Sequence, residues 1–245
     1  MLVQGHLVRG VRGMFSQVLF WLLVLPGIAL GLYAQSRIKY NVARYSRVRT
    51  GINATGAQVA RHILDAAGLQ TVAVETTEGM LSDHYDPRAK ILRLSEGVYY
   101  SPTVASVGIA AHEAGHAIQD AENYLPLEAR SYLVPFVQLG ARIAPWAFIA
   151  GILFNMPGLA WAGAVLFGAS SLFALITLPV EIDASRRALD QLVRHRIVSG
   201  PAEVDGVRAV LRSAAWSYVA AAVSAVGSWL FYLILLFSRS AGRRA

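Results

Sequence analysis

Apolar residues gather in four long runs, and charged and polar residues return between them. The runs extend from Met14 to Tyr33, from Leu133 to Phe154, from Pro157 to Leu178 and from Ala214 to Phe237. Each is near the ~20 residues of helix that cross a bilayer core. The pattern therefore predicts four transmembrane helices, 14–33, 133–154, 157–178 and 214–237. In the third, Ala160, Ala164 and Gly168 recur at four-residue spacing and form a small-residue ridge for close helix packing. Arg9 and Arg12 followed by the first run and Leu32-Tyr33-Ala34 also resemble a signal peptide with a cleavage site. The length of that run favours a retained span.

The polar segment 34–132 has its own pattern. Thr55 to Ala67 reads as an amphipathic helix with Val59, Ile63 and Leu64 on one side and Gly68 ending it. Thr71 to Thr76 alternates like a short strand, and Ile91 to Leu94 looks like another, with a turn at Asp86-Pro87-Arg88. Ser101-Pro102 is expected to start the next helix, as an N-cap followed by proline. A further helical segment, 179–212, follows the third run. The fold class expected is a mainly α membrane protein: four transmembrane helices, a polar segment with helices of its own and a small β-sheet.

Composition sharpens this reading. Hydrophobic residues make up 55% of the chain and charged ones 15%, a balance foreign to soluble domains. The formal net charge of +7 raises the question of nucleic acid. The arginines mostly border apolar runs, however, and no nucleic-acid motif is present, so the partner implied is the lipid bilayer. With no cysteine, any metal must be held by histidine and carboxylate.

Such residues are present. His112-Glu113-Ala114-Gly115-His116 is an H-E-x-x-H motif on the helix that follows Ser101-Pro102. Residues four apart share a helical face, so His112 and His116 can direct both imidazoles at one ion. Glu113 lies beside them, placed as a general base. Chance yields this pattern on the order of once in a hundred chains of this composition. A catalytic zinc needs a third protein ligand, and no third histidine follows at short spacing. Glu181, just after the third run, is the better candidate than His6, His62, His84 or His195. Two crossings separate it from His112, which returns it to the same membrane side. The cofactor expected is one Zn²⁺ per chain.

At these residues the chain resembles the YugP-like bacterial membrane zinc metallopeptidases, whose core is similar to that of the larger HtpX type. The resemblance is carried by Tyr33-Ala-Gln-Ser36, Ala60 to Leu69, Asp83 to Arg88, Leu92 to Glu96, Ala111 to Gln119 and Leu178 to Ala188. It implies zinc, a membrane-embedded helical fold and peptide-bond hydrolysis in a bacterial inner membrane, on a protein or peptide substrate. In the related pattern an Asp four residues after the ligand Glu orients the first ligand His; here that position is Ser185. Asp183, Ser185 and Asp120 are the candidates for that role. Donors to the developing oxyanion are sought among His84, Tyr85, His195, Arg186 and Arg187. The strand around Ile91 to Leu94 is a candidate to pair with substrate backbone.

Four retained spans place both termini on one side and the catalytic segments on the other. Arg9, Arg12, Arg239, Arg243 and Arg244 flank the termini; many more basic residues, among them Arg37, Lys39, Arg44, Arg130, Arg186, Arg208 and Arg212, flank the catalytic side. The positive-inside rule therefore predicts a cytoplasmic active site. The reading that follows is a zinc endopeptidase acting on membrane or misfolded proteins. Its competitors are a zinc hydrolase of a non-peptide membrane substrate and a non-catalytic zinc scaffold or regulator, which would have no need of Glu113. A transporter is disfavoured, because the spans lack paired acidic residues near their centres.

Overall fold

The computed structural model describes residues 2–241, with side chains from 17 to 240. His6, Arg9, Arg12, Arg243 and Arg244 lie outside the described side chains. The elements are α1 (Leu2–Tyr45), α2 (Gly56–Ala66), β1 (Ala73–Thr77), β2 (His84–Asp86), β3 (Ile91–Ser95), α3 (Glu96–Tyr99), α4 (Val104–Ala121), α5 (Leu125–Leu153), α6 (Pro157–Arg194) and α7 (Pro201–Ala241). The protein is mainly helical with one small mixed sheet, the class the sequence pattern predicts.

Four helices are long and apolar enough to cross a membrane: α1, α5, α6 and α7. No more than 28% of the most apolar window of any of them is buried within the protein. Large side chains such as Phe136, Trp146, Leu153 and Val165 point outward, as lipid-facing residues do. α1, α6 and α7 run 44, 38 and 41 residues, and at ~1.5 Å per residue each is longer than a ~30 Å bilayer core. α6 accommodates Pro179 without ending. The third apolar run and Glu181 therefore share one helix, and the chain turns at 195–200 before α7 begins.

The chain forms two compact units. One gathers Tyr132–Ile176 with the described parts of Met1–Leu32 and Val219–Ala245. Here the small-residue ridge of α6 packs as expected: Ala160 and Ala164 are buried, and the Trp229 indole donates to the Ala164 carbonyl at 3.1 Å. A Cβ on Gly168 would fall 2.8 Å from that same indole nitrogen, so the ridge must stay small for Trp229 to seat.

The second unit comprises Tyr33–Ser131 and Thr177–Tyr218 and holds the larger core. α2 starts with a capping box, the Thr55 hydroxyl and Gln58 side chain each satisfying the other's amide. Its Val59, Ile63 and Leu64 are fully buried against Leu92, Leu94 and the alanine-rich α4. The sheet order is β1-β3-β2, with β1 parallel and β2 antiparallel to β3. β3 is therefore the central strand. Both its edges are occupied, and it cannot take a substrate strand as the sequence pattern suggested. Asp86 makes the expected turn, its Oδ1 accepting from the amides of Arg88 and Ala89.

The start of α4 also differs from expectation. Ser101 and Pro102 are extended, and their carbonyls accept the amides of Gly56 and Thr50. Thr103 is the N-cap instead, its hydroxyl accepting from the Ser106 amide at 3.3 Å. That seam fastens α4 to the segment before α2 and fixes the helix that carries the motif.

Candidate metal centre

α4 presents His112, Glu113 and His116 to α6, which presents Glu181. The helices approach closely because Gly115 lies at their contact: a Cβ there would sit 2.8 Å from the Ala184 carbonyl oxygen. The glycine in the motif is thus a packing requirement. Glu181 is 2% exposed, His116 7% and Glu113 8%, and a buried charge so placed needs partners.

Glu181 has them on both oxygens. Oε1 accepts from the Arg130 guanidinium at 2.8 Å. Oε2 faces Nε2 of His112 at 3.2 Å and Nε2 of His116 at 3.5 Å. One candidate ligand atom from each of the three residues lies within 4.8 Å of the others. Zinc bonds of about 2.0–2.2 Å at the tetrahedral angle put ligand atoms about 3.3–3.6 Å apart; the 3.5 Å separation falls in that range and the 3.2 Å one just below it. Tyr218 on α7 lies near Glu181 as well.

The second ring nitrogens settle the tautomers. The Gln119 amide nitrogen donates to the Val180 carbonyl and to Asp183, both at 2.9 Å. Its Oε1 is therefore the atom that meets His116 Nδ1, at 2.9 Å, and this oxygen accepts a hydrogen bond from Nδ1–H. His116 Nε2 is left with its lone pair toward Glu181 and any metal. Ser185 Oγ lies 3.2 Å from His112 Nδ1 and can accept in the same way. Ser185 thus contacts the first ligand histidine. Asp183 acts one residue removed, on the second, through Gln119. Asp183 is itself clamped by Arg186 and Arg187.

The remaining candidates lie elsewhere. Asp120 accepts the Tyr85 hydroxyl at 2.7 Å and pairs with Lys90 rather than with a histidine. Burial and that Asp120 bond push the Tyr85 phenol far above its usual value, so it stays protonated. Its backbone amide points away from β3 and donates to Glu113 Oε2 at 3.1 Å. His84 is exposed, with Nδ1 on the Ser82 carbonyl. His195 contacts Gln191 and stacks edge-on against His62. At His116 burial disfavours the charged ring, but the neighbouring Glu181 and Glu113 carboxylates outweigh it and raise the metal-free pKa.

Three residues of this cluster escape the sequence pattern: Gln119, Arg130 and Tyr218. Gln119 carries a local signal, since it stands three residues after His116 on the same face. Arg130 lies 51 positions from its partner, and nothing in the spacing announces it.

Residues 20–238 match the family described as "Putative neutral zinc metallopeptidase". The chain belongs to this family. It is also 39% identical over 221 residues to "Putative membrane protease YugP" of Bacillus subtilis (strain 168), an alignment covering 90% of this chain and 98% of that protein. No solved structure gives a significant match. Family, relative and the four apolar helices together mark a membrane zinc peptidase, and the His-His-Glu group is a donor set suited to its metal.

Proposed function

We propose that the chain is a zinc endopeptidase of the bacterial plasma membrane, holding one zinc per chain and cleaving membrane or misfolded proteins from the cytoplasmic side. The carrying observation is Glu181 Oε2 facing both imidazole Nε2 atoms of an H-E-x-x-H helix. When bound, zinc supplies Lewis acidity that acidifies water and polarises a carbonyl. His112, His116 and Glu181 are the ligands in this reading. Glu113, oriented by the Tyr85 amide, takes the proton from the attacking water and delivers it to the departing amine. Tyr218, beside the ligand Glu181, donates to the carbonyl oxygen as negative charge develops there.

The edge of β2 that does not pair with β3 lies beside Glu113 and is the place for an extended substrate backbone to pair. The excess of arginine on the catalytic side supports a cytoplasmic site, and a reporter fused after Ala245 should then read as non-cytoplasmic. Purified enzyme should cleave an unfolded protein, lose that cleavage on chelation and regain it with added zinc. Cleavage indifferent to chelation sinks the proposal. Hydrolysis of lipid with protein left intact would transfer it to the non-peptide reading.

A further inference from the structure

Away from the candidate metal centre, a cleft of about 390 Å³ opens between α1 and α7. Its floor is polar and tied down. Asn41 is 4% exposed and donates to the Ala209 carbonyl at 3.1 Å. Its rim is basic, formed by Arg37, Arg208 and Arg212 against the single carboxylate of Asp205. Asp205 holds Arg208 at 2.6 Å. Among the described residues no carboxylate lies within ion-pair distance of Arg37 or Arg212. The cleft therefore carries a surplus of two positive charges; both arginines are exposed, and Arg37 lies over the Tyr40 ring at 5.9 Å.

The depth of the cleft is marked by its aromatic end. Tyr33 closes the first apolar run and Trp216 stands near the start of the fourth, and their rings meet edge-on at 6.0 Å. Tyr and Trp at the ends of apolar runs occupy the membrane interface. Arg37 follows Tyr33 by one helical turn, and Arg212 precedes Trp216 by one. The backbone positions of both arginines thus lie about 6 Å to the polar side of the aromatic pair, four residues at ~1.5 Å each, toward the level of the lipid phosphates.

We propose that this cleft binds the phosphate of an anionic phospholipid, with Arg37 and Arg212 as its ligands and the Tyr33–Trp216 pair against the glycerol region. Guanidinium forks match phosphate oxygens in pairs. A headgroup without an amine is favoured, because an added cation would meet the existing surplus. The site is independent of the peptidase reading, since none of its residues touches the candidate metal centre.

The test is native mass spectrometry of the full chain in detergent, titrated with phosphatidylglycerol and with phosphatidylcholine of matched acyl chains. Wild type should prefer phosphatidylglycerol. Each arginine near an anionic lipid is worth about a fivefold change, so R37Q/R212Q should lower phosphatidylglycerol binding about thirtyfold. The control R47Q/R194Q removes equal charge elsewhere and should keep the preference. Both rim arginines are exposed, and an unchanged melting temperature of R37Q/R212Q confirms that folding is intact. Undiminished binding by R37Q/R212Q, or an equal loss in the control, overturns the site. Displacement of phosphatidylglycerol by millimolar inorganic phosphate would assign it to a soluble phosphate and overturn the lipid.

Discussion

Replacing Gln119 by Leu removes the residue that orients His116 while nearly conserving its volume. Three hydrogen bonds disappear, each 2.9 Å long in the wild type, but their losses are unequal. The Val180 carbonyl lies inside α6 and keeps its helical partner. Asp183 keeps Arg186 and Arg187. His116 alone loses its Nδ1 acceptor, in a position 7% exposed where water cannot readily replace it. An unsatisfied buried donor costs about 1–3 kcal/mol, and losing the orienting partner of a metal-ligating histidine typically costs about 10–100-fold in metal affinity. The expectation for Gln119→Leu is therefore a zinc Kd raised about 10–100-fold, equivalent to about 1.4–2.7 kcal/mol. Helix content should be unchanged, and cleavage at saturating zinc should fall less than affinity does. Competition against a zinc-chelating dye, with circular dichroism as the folding control, measures both. Wild-type zinc affinity in a folded Gln119→Leu protein would refute the assigned tautomer and the role of Gln119.

Other substitutions separate the remaining parts. Gly115→Ala places a methyl 2.8 Å from backbone oxygen of Ala184; overpacking of this kind costs about 1–3 kcal/mol, so thermal scans should show a melting temperature lowered by about 2–12 °C and zinc titration a weaker site. An unchanged melting temperature contradicts the close α4–α6 approach. Tyr218→Phe should retain zinc while kcat falls about 10²–10³-fold, the loss expected for one oxyanion donor; steady-state kinetics on a fluorogenic peptide decides it, and an unaltered kcat removes Tyr218 from the chemistry. Arg130→Gln leaves Glu181 Oε1 without its charged partner, so zinc affinity should drop while Glu113-dependent chemistry in the loaded enzyme persists; equilibrium dialysis reads the affinity, and unchanged binding argues that Arg130 is dispensable.

The parts of this molecule legible in its sequence are those set by short-range periodicity or by a strict motif. The four apolar runs, the amphipathic stripe of Val59, Ile63 and Leu64 on α2, and the His112–His116 spacing each depend on residues within a few turns of one another. Glu181 was reachable too, because zinc chemistry demands a third donor and the even number of crossings returns it to the right side. What stayed hidden depends on contacts between distant segments. The carbonyls of Ser101 and Pro102 are spent on the segment before α2, which moves the α4 cap to Thr103. β3 becomes central only when β1 and β2 pair on its two sides, and that pairing leaves β2, a strand too short to announce itself, beside Glu113. Arg130 and Tyr218 sit in stretches that read as membrane flank or span, where their polar ends give no indication of the carboxylate they meet.

The most direct test is to measure zinc content and cleavage of an unfolded protein together, in detergent-purified wild type, Glu113→Gln and Glu181→Ala. The account predicts one zinc and cleavage in wild type, one zinc without cleavage in Glu113→Gln, and weakened zinc binding in Glu181→Ala. Full zinc in all three with no cleavage by any would contradict it, removing Glu181 from the ligand set and hydrolysis of peptide bonds from the protein's function.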